Sequence, residues 1–138
     1  MLKAVVDTNQ FVSALINTAG PSAQLLEAWR DQRFILILSR GILEEIGEVL
    51  QYSRIKEKYG LSQEAIKAFL YLLEHEAIVI QDTLEINVID EDPDDNKVLA
   101  CALFASVDYI VSGDGHLLSL NEFEGIPVVK VKDFLKLL

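Results

Sequence analysis

The sequence predicts an α/β fold, a three-layer α/β/α sandwich built on a central, mostly parallel five-stranded sheet. Two observations carry this. Short, β-branched apolar runs alternate along the chain with stretches of amphipathic helical spacing, the pattern of strand–helix–strand crossovers. The strand runs are also too apolar to have a wet face, so helices must cover the sheet on both sides. At 138 residues, 51% of them hydrophobic, the chain has the size of one domain, and residues 1–138 are expected to share one core.

The elements follow in order. "LKAVV", "FILIL", "AIVI", "YIVS" and "PVVKV" are the five strand candidates. Helical spacing fills residues 21–32, 39–51, 62–76 and 94–106, with Ser39 and Ser62 placed as N-caps, and shorter helices are expected at residues 9–17 and 132–138. The break at "TAGP" divides the first crossover into two helices.

Composition excludes several classes. With 7 Gly and 3 Pro there is neither a low-complexity linker nor a disordered composition. The longest apolar runs, "FILIL" and "VLACALFA", fall well short of the roughly 20 residues of a bilayer-spanning helix. "MLKAVVDTNQF" reads as a first strand and not as a signal peptide, because Asp7 interrupts its apolar segment. The single Cys101 lies in an apolar helical pattern and reads as a core residue, which fits a cytoplasmic setting. The formal charge of −10 opposes indiscriminate attraction to a nucleic-acid backbone. Half of the 12 basic residues, however, are Arg30, Arg33, Arg40, Arg54, Lys56 and Lys58, and none lies between Lys67 and Lys97.

The acidic residues repay a position-by-position reading. Asp7 ends the first strand in "VVDTN" and Asp114 follows the fourth in "IVSGDGH", so both emerge at the carboxyl edge of the sheet. If those strands flank the point where the connections reverse direction, the two side chains converge in one crevice. In "VIDEDPDDNKVLACALFA" the apolar stripe runs through Val98, Leu99, Ala102 and Ala105, and Asp95 lies one turn earlier on that stripe, whereas Asp94 falls to one side. In "SRGILEEIGEVLQ" Glu45 flanks the buried stripe, while Glu44 and Glu48 face away from it. Each acid taken singly is an ordinary cap, loop or surface residue. Together, Asp7, Glu45, Asp95 and Asp114 form an all-oxygen set whose mutual repulsion a hard cation would relieve, which points to Mg²⁺ or Mn²⁺ and to phosphate-ester chemistry.

"VVDTNQFVSAL", "LEEIGEVL" and "DEDPDDNKVLACALFASVDYIVSGDGHLL" together resemble the PIN-domain family, especially its toxin-like branch, the VapC-like ribonucleases of toxin–antitoxin pairs. The likeness spans nearly the whole chain. It implies a PIN-like nuclease domain: an endoribonuclease using one or two Mg²⁺ or Mn²⁺ ions, held by Asp7, Glu45, Asp95 and Asp114, and leaving 5′-phosphate and 3′-hydroxyl ends. Asn9 and Ser112 are secondary candidates for orienting a carboxylate or touching phosphate, and Asp92 for holding a metal through water. Ser112 stands where such proteins often have threonine. The six clustered basic residues are candidates for RNA contact, since the chain's net charge demands local cationic help. An antitoxin protein and a homodimer are further expected partners. His116 and His75 read as surface or helix-end residues, and Trp29 as core.

Two other classes compete on the same residues. A receiver-like phosphoacceptor domain also carries strand-end carboxylates, a Mg²⁺ and a late lysine, for which Lys130 would serve. It calls for paired acids after the first strand, where "VVDTN" has one, and for an acid closing the third, where Asp82 comes a residue late. A non-catalytic PIN-like module for binding RNA or protein is the third class, and the full four-acid set speaks against it.

Overall fold

The computed structural model describes residues 1–81 and 93–138, with side chains in the second segment from Asp95 onward. Strand β1 (Lys3–Val6) leads into helices α1 (Thr8–Ile16) and α2 (Pro21–Arg30) and then β2 (Ile35–Ser39). Helices α3 (Arg40–Leu50), α4 (Ser53–Lys56) and α5 (Gln63–Glu76) connect to β3 (Ile78–Ile80). After α6 (Pro93–Ala105) come β4 (Tyr109–Val111), α7 (Gly115–Leu118), β5 (Glu122–Phe123), β6 (Ile126–Val129) and α8 (Val131–Leu135).

The sheet has the order β3-β2-β1-β4-β6-β5, and every pairing is parallel except that of β5 with β6. All five expected strands are present, and a sixth is added. That sixth, β5, is two residues long and pairs Phe123 with Ile126 across a tight turn in which Glu124 and Gly125 both have positive φ, 50° and 81°. A two-residue strand carries no readable periodicity, and the turn type needs the conformational freedom that Gly125 supplies. The expected alternation of strands and helices on a covered sheet is otherwise observed: β1 and β2 are buried on both faces along most of their length.

The topology explains the layering. From β1 the chain steps outward to β2 and β3, then returns through α6 across β2 and β1 to β4 on the other side. With right-handed crossovers, helices of the outward steps and of the return step cover opposite faces. The direction therefore reverses between β1 and β4, whose register pairs Val6 with Val111.

Local chemistry sets the helix ends. Ser39 and Ser62 accept from the backbone N–H groups of Ile42 (3.2 Å) and Ala65 (3.0 Å), as N-caps do. Pro21 opens α2, where its missing N–H costs nothing. In the core Phe34 meets Phe134 edge to face at 5.1 Å, which seats α8, and Trp29 is buried as expected. Burial pushes the Cys101 thiol up to about 12, so it is an unreactive core group. Among the described residues, no helix is long and apolar enough to cross a membrane.

Helix α6 lies against β1, β2 and β4 and buries Val98, Leu99, Cys101 and Ala102 there. Leu99→Ala is expected to destabilise the protein by about 2–5 kcal/mol, from lost transfer energy plus the cavity. A denaturant midpoint unchanged within error would contradict the packing described.

Candidate active site

Asp7 is the first residue past β1, and the sheet itself holds it in place. Its backbone N–H donates to Val111 O (3.1 Å), continuing the β1–β4 ladder, and its side chain caps α1 by accepting from Gln10 N (3.3 Å). Directly across, Ser112 is fully buried, and its hydroxyl donates to Asp7 Oδ2 while accepting from Asp114 N at 2.9 Å. Asp114 in turn caps α7, accepting from His116 N (2.8 Å) and Leu117 N (3.2 Å). The two strand-end acids are thus tied through one serine, at the edge where the connections part.

Two helices bring the other acids. Glu45 sits one turn into α3, where Thr8 donates its hydroxyl to Glu45 Oε1. Asp95 sits in the first turn of α6 and is buried, in keeping with the inward face that helical spacing assigned to it. Asp7, Thr8, Asn9, Glu45, Val49, Asp95 and Val98 line one cavity of about 170 Å³. A ligand atom from each of Asp95, Asp114 and His116 lies within 4.8 Å of the other two. Asp95 belongs to both groups.

The electrostatics at Asp7 are those of a buried carboxylate with another acid beside it. Burial, with Asp7 4% exposed, is the main cause of a pKa raised above the ordinary 3.8. The Ser112 hydroxyl and the Gln10 and Gly113 N–H groups oppose the rise, and the charge of Asp114 adds to it. A divalent cation would reverse the sign of that field. The donors are oxygen at Asp7, Glu45, Asp95 and Asp114, so the residues present fit a hard ion of the Mg²⁺ or Mn²⁺ kind.

The remaining sequence candidates divide. Asn9 lines the cavity, and Ser112 touches Asp7. Asp92 lies outside the described residues, as does the side chain of Asp94. Arg30 lies beside Met1, Ile35 and Ile78, at the strand starts, and Arg33 precedes β2 at that same edge, so both are at the end of the sheet opposite Asp7. Arg40 opens α3 at the carboxyl edge and pairs with Glu74 at 2.9 Å. Arg54, Lys56 and Lys58 cluster in α4 and the turn after it.

Two residues at the site were not assigned to it from the sequence. Thr8 directly follows Asp7, and its hydroxyl at the first position of a helix was a usable signal. His116 is indeed exposed, as expected, but its ring stands beside Asp95 and Asp114.

A family model for the PIN domain matches residues 3–116, and with them the strand ends and helices that carry all four acids. The chain belongs to the PIN-domain family. A relative in Methanocaldococcus jannaschii, the uncharacterized protein MJ1680, is 31% identical over 121 residues, covering 88% of this chain and 76% of its own length. Among solved structures, the Mycobacterium tuberculosis toxin VapC20, described as cleaving the sarcin-ricin loop, aligns with a TM-score of 0.59. That alignment covers 90% of this chain and 98% of VapC20 at 19% identity, so it shows the shared PIN fold. With the family shown, the receiver-like reading is set aside.

Ionising Asp7 costs stability in the metal-free PIN domain. Because its folded pKa lies above the unfolded 3.8, the stability available with Asp7 protonated is complete below pH 3.8 and is lost as pH rises through the folded value. Asp7→Asn keeps an acceptor for Ser112 and removes the charge. In chelator at pH 7 it is expected to raise Tm by about 3–8 °C, on the order of 1–2 kcal/mol for a chain of this size. A melting scan showing no rise would contradict the assignment of strain to this carboxylate.

Proposed function

We propose that this PIN domain, residues 1–138 as one unit, is a metal-dependent endoribonuclease and the toxin of a toxin–antitoxin pair acting in the cytoplasm. The single observation that carries the nuclease reading is the convergence of Asp7, Glu45 and Asp95 on one cavity, with Asp114 tied to Asp7 through Ser112. The description of VapC20 as a toxin that cleaves the sarcin-ricin loop supports the choice of RNA and of the toxin role.

In this reading Asp7, Glu45, Asp95 and Asp114 hold Mg²⁺ or Mn²⁺. An ion held there would supply a more acidic bound water and would neutralise charge on a phosphodiester; the resemblance to the family implies 5′-phosphate and 3′-hydroxyl ends. The chain's own residues prepare for it. Ser112 and the Gln10 N–H fix the Asp7 carboxylate, and Thr8 fixes Glu45, so little rearrangement is needed on binding. Asn9, which lines the cavity, would contact phosphate in this reading.

RNA would be gripped by Arg40, Arg54, Lys56 and Lys58, with Arg30 and Arg33 too far round the sheet to share a strand entering the crevice. Arg54 lies over the exposed Tyr52 ring, 5.1 Å from its centroid, and Lys58 over the exposed Tyr59 ring at 5.4 Å. Basic groups interleaved with exposed aromatics are the usual means of holding single-stranded nucleic acid. An antitoxin and a second copy of the chain are the protein partners this reading expects.

Purified protein is expected to cut RNA with Mn²⁺ or Mg²⁺ and to stop on addition of EDTA. Asp95→Asn should abolish cleavage, by at least about 10³-fold, while circular dichroism stays unchanged. An Asp95→Asn protein cutting at the original rate would refute the role. Replacing Arg54, Lys56 and Lys58 by Gln should weaken RNA binding and reduce the slope of log affinity against log salt by about 2. An unchanged slope would remove this patch from the interface.

A further inference from the structure

His116 gives the carboxyl edge a donor that the oxygen-only cavity lacks. It follows Gly115 in α7, and 54% of its side chain is exposed. Its Nδ1 stands 3.8 Å from Asp95 Oδ2 and 3.8 Å from Asp114 Oδ1. Those distances are too long for hydrogen bonds. They suit a shared ion instead: atoms each about 2.0–2.2 Å from one cation lie roughly 3–4.3 Å apart. The second group differs chemically from the first. Asp7, Glu45 and Asp95 offer oxygen alone around the cavity, whereas Asp95, Asp114 and His116 offer two carboxylates and an imidazole.

We propose that His116 is a direct nitrogen ligand at a second divalent-ion position, formed with Asp95 and Asp114, and that it makes this position prefer Mn²⁺ to Mg²⁺. The inference rests on the metal-dependent reading above and adds to it which residue sets the metal preference. Imidazole nitrogen is a poor ligand for Mg²⁺, which holds to oxygen and water, and an acceptable one for first-row transition ions. Asp95, common to both groups, would bridge the two positions. The oxygen-only cavity then serves a hard ion, and the mixed position a softer one. Because the imidazole is exposed and packs in no core, its removal leaves the fold intact.

The test is Mn²⁺ binding by wild type and His116→Ala, followed by pulsed electron paramagnetic resonance, with Mg²⁺ as competitor. Wild type is expected to show ¹⁴N modulation of the bound Mn²⁺ signal, and the variant to lose it. The variant should also lose about tenfold or more in Mn²⁺ affinity, while Mg²⁺ affinity changes by less than about threefold. Mn²⁺ bound by wild type without nitrogen modulation, or modulation persisting in His116→Ala, overturns the role of His116 and leaves the carboxylate site standing. Absence of Mn²⁺ binding in both proteins overturns the metal-dependent reading and this inference together.

Discussion

The pairing of β1 with β4 is the constraint on which the rest depends. It extends one residue past the strands, where the Asp7 N–H reaches Val111 O and Ser112 meets the Asp7 carboxylate. Two segments more than a hundred residues apart are joined there at a buried polar point. Everything else at the edge is arranged around it: α1 starts from Asp7, α7 starts from Asp114, and α3 and α6 bring Glu45 and Asp95 to the same cavity wall. An α/β sheet opens a crevice where its connections diverge, and here that crevice is lined with acid.

Such an arrangement runs against stability. A carboxylate as enclosed as Asp7, next to Asp114, is worse off ionised than it would be in an unfolded chain, and three hydrogen-bond donors offset only part of the cost. Local strain of this kind is characteristic of sites that bind a compensating charge. The protein's −10 charge sharpens the point, because an acidic domain would need both a cation in its crevice and a basic region beside it to hold a polyanion.

Much of the architecture was legible in the chain. Strand runs buried on both faces announced a covered parallel sheet, and serine caps marked the starts of α3 and α5 correctly. Helical phase alone singled out Asp95 as inward and Glu44 and Glu48 as outward, and the burial pattern agrees on all three. The misses share a cause. β5 is too short to have a period, and His116 and Thr8 look ordinary until distant segments meet. Proximity across the fold is set by strand order, which linear spacing does not encode.

The central claim is that this acidic edge holds a divalent cation. Diffraction from crystals soaked in Mn²⁺, collected at a wavelength where manganese scatters anomalously, addresses it most directly. The account predicts an anomalous peak among Asp7, Glu45, Asp95 and Asp114, within about 2.0–2.4 Å of carboxylate oxygens. Well-ordered carboxylates with no peak between them, at a Mn²⁺ concentration that labels other surface sites, would contradict it.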